Sequence, residues 1–243
     1  MKILLTGANG YIGMRLLPVL LEGGHHVICL VRDSRRFPSE RFAQRAVGDA
    51  QLEVIEGDLL EKDSLEIPAD IEIAYYLVHS MGSGAQDFYE LEDRSAKNFL
   101  ATLESTSARQ VIYLSGIVNH PKESLSPHLA SRLNVEEILL AGPIPATVLR
   151  AAIIVGAGSA SFEIIRDLVE KLPVMIAPKW LRNPCQPIAV RNVIDYLTRV
   201  IGKEETLDAT FNIAGPEAYS YQDILLRFAE VRGLGRLLFP VPF

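Results

Sequence analysis

The feature that most constrains this chain lies within its first thirteen residues. An apolar run at 2–5 passes straight into Thr6-Gly7-Ala8-Asn9-Gly10-Tyr11-Ile12-Gly13. A helical pattern at 11–22 follows, with Ile12, Leu16, Val19 and Leu20 on one stripe. Gly7 lets the chain turn sharply after a strand, Gly10 removes a side chain where backbone must approach a ligand, and Gly13 lets helix pack on strand. The N-terminus of such a helix offers unpaired N–H groups and partial positive charge, a setting that holds phosphate.

The spacing is GxxGxxG, not the GxGxxG of the general dinucleotide fingerprint, but it stands after a strand and opens a helix, as that chemistry requires. The expectation is a nicotinamide dinucleotide held through Gly7, Asn9, Gly10, Tyr11 and Ile12. A purely structural glycine turn is the alternative.

The rest of the chain repeats the alternation. Runs at 2–5, 27–31, 52–55, 73–77, 111–114 and 147–149 are apolar on consecutive positions, as parallel strands covered on both faces are. Helical spacing appears at 88–104 and 127–140. The fold class expected is α/β, a Rossmann-type doubly wound parallel sheet with helices on both faces. Residues 1–155 form the dinucleotide-binding core in this reading. Residues 156–243, broken by Pro173, Pro178, Pro184 and Pro187, form a small C-terminal substrate lobe interleaved with it. There a helix at 190–201, opened by Arg191 and Asn192, precedes a strand at 211–213 and a helix at 221–231. The last seven residues, LLFPVPF, are apolar for a free end. They dock on the body, or the chain is part of something longer.

Composition excludes several classes. The net charge of −6 gives no basic footprint for nucleic acid. No apolar stretch reaches the roughly 20 residues of a membrane span. Met1 and Lys2 lead directly into the first strand without a signal peptide. Two cysteines, Cys29 and Cys185, make no disulfide framework, so a reducing compartment, the cytoplasm, is expected. No His/Cys/Asp/Glu cluster has metal-ligand spacing.

Cofactor preference is read at the end of the second strand, where a carboxylate would hold the ribose of NAD. The sequence has Leu30-Val31-Arg32, with Arg35 and Arg36 behind. Arg32 and Arg36 suit the 2′-phosphate of NADP, which arginine clamps bidentately, so NADP is expected over NAD. Asp33 argues the other way but lies past the strand; a solvated basic loop is the alternative. Asp58, followed by Leu59, is placed either to accept from an adenine amino group or to cap a helix.

Four segments, 6–13 (TGANGYIG), 57–59 (GDL), 111–116 (VIYLSG) and 211–215 (FNIAG), resemble the short-chain dehydrogenase/reductase superfamily in its extended or atypical branch. Within that branch the chain is similar to NAD-dependent epimerase/dehydratase-like proteins and to the nucleotide-binding accessory subunit of respiratory complex I. The resemblance implies a catalytic Ser and a Tyr-x-x-x-Lys pair. Ser115 matches the Ser. His128-Leu129-Ala130-Ser131-Arg132 stands at the Tyr-x-x-x-Lys position, with His for Tyr and Arg for Lys. Arg132 retains a hydrogen-bonding cation for a ribose but exchanges no proton near neutral pH. His128 titrates in the right range, or is a helix-start residue with no chemistry. Ser115 polarises a carbonyl, or bonds backbone or cofactor. The resemblance also passes Leu77, Val78 and His79 along the cofactor ribose, turns His79 toward the cleft, and brings Ala152 and Ile153 beside the nicotinamide. Tyr113, inside its strand, reads as core.

Two functions remain open from sequence. One is an NADP-dependent oxidoreductase or epimerase-like enzyme on a small carbonyl substrate, using Ser115 with His128 or His79 as proton source. The other is a non-catalytic NADP-binding sensor or assembly module. Its basis is the missing Tyr and Lys. A homodimer paired through helices beside the sheet is compatible with either, and a hydrophobic-ligand carrier rests only on the apolar C-terminus.

Overall fold

The computed structural model describes residues 1–79, 85–119 and 124–241. Its contacts divide the chain into two compact units, Met1–Arg150 with Ile194–Phe211, and Ala151–Val193 with Asn212–Phe243.

The first unit alternates strand and helix: β1 (Lys2–Thr6), α1 (Gly13–Glu22), β2 (His26–Val31), the short α2 (Ser39–Ala43), β3 (Leu52–Glu56), β4 (Ile73–Tyr76), α3 (Ala85–Leu103), β5 (Gln110–Gly116), α4 (Pro127–Leu140) and β6 (Ala146–Ala151). With β11 (Ala209–Ile213) the strands form one seven-stranded sheet in the order β11-β6-β5-β4-β1-β2-β3. The pairings β3–β2, β2–β1, β1–β4 and β4–β5 are all parallel. This is the Rossmann-type doubly wound α/β fold. The strand order reverses between β1 and β4, the place where such sheets bind ligands beyond their carboxyl ends.

Consecutive burial explains the apolar runs. Ile3, Leu4 and Leu5 are all inaccessible, as are Val27, Ile28 and Cys29, because helices cover the sheet on both faces and leave neither for polar side chains. Tyr76 is wedged edge-on between Phe99 of α3 and Tyr113 of β5, at centroid distances of 5.0 and 5.8 Å. Tyr75 instead sends its hydroxyl to the Leu197 carbonyl (2.7 Å) on α6 (Val190–Arg199).

One buried ion pair fixes α4. The Arg150 guanidinium on β6 donates twice to Glu136 (2.9 and 2.8 Å), and the Thr210 hydroxyl on β11 donates to the same carboxylate (3.0 Å). Planar guanidinium and carboxylate match in this geometry.

The second unit holds β7 (Ile154–Val155), α5 (Ala160–Lys171), β8 (Val174–Pro178), β9 (Pro184–Cys185), β10 (Ile188–Ala189), β12 (Tyr219–Ser220), α7 (Tyr221–Val231) and β13 (Leu237–Val241). Helix α7 opens on a capping box of Ser220 and Asp223. Val169, Met175, Ala177, Leu181, Leu225 and Ala229 form its core. The apolar run from Leu237 is strand β13, paired in parallel with β8, and Leu238 packs on that core. Helix α5 was not expected from the prolines around it. Its signals are the Ser159 cap on the Phe162 N–H and the spacing of Phe162, Ile165 and Val169.

Removing one partner of the buried pair strands the other. Glu136→Ala is expected to lower unfolding stability by about 3 kcal/mol in urea titration, whereas Lys97→Ala, at an exposed i,i+4 pair with Asp93, should change it by less than about 0.5 kcal/mol.

Candidate functional site

The glycine turn is built by backbone packed on backbone. Gly7 has φ +69°, and a Cβ there would lie 2.4 Å from the Leu77 carbonyl oxygen beyond β4. A Cβ on Gly13 would lie 2.3 Å from the Gly7 oxygen. Gly10 is exposed and donates its N–H to the Gly7 carbonyl (2.9 Å). Helix α1 begins without a side-chain cap: Ile12, at its N-cap, has nothing to offer the first N–H groups. A close, uncapped helix start behind a glycine turn is chemistry suited to a dinucleotide phosphate. Asn9 is exposed here, and Tyr11 lies beneath the Arg15 guanidinium, 3.8 Å from its ring centroid.

Beyond β2, Arg32 is exposed. Asp33 caps a single 3-10 turn at Ser34–Arg36 and takes up the other two arginines. Arg35 donates through Nε (3.0 Å) and Nη2 (3.2 Å), and Arg36 Nε lies 3.4 Å from the same carboxylate. The Arg35 hydrogen bond holds the Asp33 carboxyl below its ordinary range. Both arginines are highly exposed, so these pairs are weak and would yield to a phosphate. Asp58 accepts from the Leu60 N–H (3.0 Å) in a local turn, and the next residue, Leu59, is buried. Asp58 therefore caps a local turn and not the helix start that the sequence suggested, since the next helical turn begins at Lys62 behind Glu61.

A polar cluster forms where β4, β5, α3 and α4 meet. Ser126 caps α4, Pro127 follows it, and His128, Arg132 and Glu136 then succeed one another at i, i+4 spacing. Arg132 Nε donates to His128 Nε2 (3.2 Å), and its Nη1 reaches the Leu114 carbonyl (3.5 Å), next to Ser115. The Tyr113 hydroxyl, otherwise buried, donates to the Arg132 carbonyl (3.3 Å). Leu77 is buried after β4, Val78 packs on the core, and His79 follows. Burial, reinforced by Arg132 and His128, pushes the His79 imidazole down to about 3. His128 is lowered too, by desolvation and then by Arg132, against a raising contribution from Glu92. Arg132 is thus a fixed cation beside two imidazoles held toward neutrality.

The structure therefore brings Ser115, Arg132, His128 and His79 into one neighbourhood. Ala152 and Ile153 belong to the second unit, where the Ala152 N–H donates to the Ile213 carbonyl (3.0 Å) and Ile153 accepts from the Ile188 N–H (2.9 Å). Sequence reading missed Glu92 and Ser131, whose Oγ donates to Glu92 Oε2 at 2.6 Å. Both lie on helices of mixed polarity, and only their near-complete burial would have marked them. Among the described residues, the buried hydroxyl of Tyr11 lacks a hydrogen-bond partner, and that of Ser115 has only the neighbouring Tyr113 hydroxyl within reach, at no better than marginal geometry. Among the same residues no group of three or more His, Cys, Asp or Glu is placed to hold a metal ion, and no helix is long and apolar enough to cross a membrane.

Comparison with known proteins agrees with this architecture. Residues 3–172 match the NAD dependent epimerase/dehydratase family, and the chain belongs to that family. It is 23% identical over its full length to the photosystem II assembly factor Ycf39 of Cyanophora paradoxa, covering 72% of that protein. It is 20% identical to the chloroplastic divinyl chlorophyllide a 8-vinyl-reductase of Arabidopsis thaliana, over 88% of this chain and 53% of the reductase. The chain thus spans about half the length of that relative. Among solved structures it is similar to the UDP-glucuronic acid 4-epimerase of Bacillus cereus in complex with NAD, with a TM-score of 0.76 at 20% identity over 100% of this chain and 86% of that one. The UDP-glucose 4-epimerase of Thermotoga maritima gives a TM-score of 0.75 at 15% identity, again covering 100% and 86%.

A buried hydroxyl that bonds nothing is a liability to the ligand-free fold. Tyr11→Phe is expected to leave the unfolding free energy unchanged or raise it by up to about 1 kcal/mol; a clear loss in denaturant titration would show that the Tyr11 hydroxyl has a structural bond. The depressed His79 gives a second expectation. The unfolded chain binds a proton at His79 below its ordinary 6.5 while the folded chain does not until about 3. Stability from this group is complete above pH 6.5 and is lost as pH falls through that window, by up to about 1.4 kcal/mol per pH unit. His79→Asn should flatten the pH 7 to 4 profile by that slope.

Proposed function

We propose that this chain is an NADP-dependent oxidoreductase of the epimerase/dehydratase family that exchanges hydride with a small carbonyl compound. The observation that supports it most is Ser115: a buried hydroxyl at the carboxyl end of β5, one residue beyond the carbonyl that Arg132 approaches, with only the Tyr113 hydroxyl beside it. A buried donor so weakly engaged is suited to polarising a substrate oxygen. When bound, the dinucleotide would supply or accept the hydride. The chain's own residues would hold it: the N–H groups around Gly7, Asn9, Gly10, Tyr11 and Ile12 at the phosphates, Asp58 and Leu59 at the adenine, and Leu77, Val78 and Arg132 along the riboses. Arg32 would take a 2′-phosphate, with Arg36 released from Asp33, and this is the ground for NADP over NAD.

A second reading is favoured by one observation. His79 and His128 are both shifted toward the neutral form, and neither replaces the missing Tyr as a ready acid. On this reading the chain holds NADP without turnover, in keeping with a relative named as an assembly factor.

NADPH oxidation measured against a panel of aldehydes and quinones separates the two. The first reading expects turnover that falls about 10²-fold in Ser115→Ala, with NADPH affinity by fluorescence unchanged. Tight NADPH binding with no turnover across the panel supports the second instead. Arg32→Ala should cost about tenfold in NADPH affinity while leaving NADH binding as it was; equal losses for both would remove the basis for NADP.

A further inference from the structure

Helices α3 and α4 are already fastened along one edge, where the Tyr89 hydroxyl donates to Asn134 (2.7 Å) and the Asn134 amide donates to Asp93 (3.2 Å). One turn away, the same interface buries a carboxyl. Glu92 is 3% exposed, in a wall that includes Tyr76 and Tyr113. A buried acid costs several kcal/mol of desolvation unless it is matched by partners, and an apolar residue would serve helix packing better. Its two oxygens face different groups. Oε2 accepts from Ser131 Oγ at 2.6 Å, and Oε1 lies 4.0 Å from His79 Nδ1.

We infer that Glu92 is a positioning residue for His79: Ser131 fixes one carboxyl oxygen so that the other faces Nδ1, holding the N–H on Nδ1 and leaving Nε2 as the acceptor. A separation of 4.0 Å is beyond a hydrogen bond, so the pairing requires a small side-chain rotation that brings Oε1 onto Nδ1. The arrangement follows the logic of a base oriented by a buried carboxylate, which also stabilises the imidazolium when it forms. The other groups acting on His79 are Arg132 and His128 from α4, and both oppose its protonation. Glu92 on α3 is the nearby acid that faces it.

This inference rests on the hydride exchange proposed above for its chemical purpose. In alcohol oxidation the hydroxyl proton would pass to Nε2, while a bound nicotinamide would supply the acceptor for the carbinol hydrogen and its electron pair. Carbonyl reduction runs both transfers backward, so Nε2 returns the proton to oxygen.

The tautomer can be read without any cofactor, by long-range ¹H–¹⁵N correlation on protein labelled at histidine, with His79 assigned by His79→Gln. The expected result at pH 7 is the Nδ1–H form in the unaltered protein, and a smaller Nδ1–H share in Ser131→Ala, where the carboxyl loses the bond that fixes it. In Glu92→Leu combined with Ser131→Ala, which removes the Ser131 hydroxyl together with the carboxylate it bonds, the expected form is Nε2–H. Nε2–H in the unaltered protein, or an unchanged tautomer in the double variant, overturns the inference. Where the aldehyde and quinone panel gives turnover, the double variant should lose about 10²-fold in kcat at constant KM for NADPH. A flipped tautomer with kcat intact would overturn the proton-handling role. Absence of turnover altogether bears on the proposed function, and the tautomer still decides the pairing.

Discussion

The rest of this structure depends on how closely two backbones meet at the centre of the sheet. The turn after β1 sits against the Leu77 carbonyl at a distance that admits no side chain at Gly7. Thr6, one residue earlier, locks the same junction from inside. Its buried hydroxyl donates to the Tyr75 carbonyl (2.8 Å) and accepts from the Leu77 N–H (3.3 Å). Strands β1 and β4 are therefore joined by side-chain bonds just past the point where their ladder ends. The sheet order reverses at this pair, so the constraint that shapes the turn also sets the crevice beside it.

Consequences spread from that junction to the polar cluster. The chain leaving β4 must run through Leu77 and Val78, which brings His79 toward α3 and α4. Helix α4 is pinned by the buried Glu136–Arg150 pair, and Arg132 lies one i,i+4 step earlier on the same row. That places the guanidinium near the end of β5, with its imidazole neighbour His128 a further step away. Electrostatics then follow from placement: a permanent cation and two histidines shifted toward the neutral form, one of them the exposed His128, lie around a buried carboxyl. Such opposed environments for neighbouring titratable groups are characteristic of functional sites.

Much of the fold was legible because burial on both faces leaves a plain mark. Six sequence runs became β1 to β6 with ends displaced by only one or two residues, and the helical spacing at 127–140 became α4 without change. Less was legible where local signals compete. Helix α5 lies among prolines that suggested broken chain, yet tertiary packing of Val169 on Leu225 and Ala229 stabilises it. Strand β13 needed β8, which sequence did not mark, because a two-stranded pair takes its register from its partner.

The candidate site divides in the same way. Sequence alone determined the glycine turn, the arginines after β2, Ser115 at a strand end, and His128 and Arg132 on one helix face, since each follows from local geometry or fixed spacing. Only the tertiary structure decided that Asp33 engages Arg35 and Arg36, that the Tyr11 hydroxyl is left without a partner and that of Ser115 with only Tyr113 beside it, and that Glu92 is buried against Ser131 and His79. Those outcomes depend on which helix face meets which strand end, a relation between residues as much as 52 positions apart in the case of Ser131 and His79. No periodicity within one element encodes it; the close packing of α3 and α4 over β4 and β5 does.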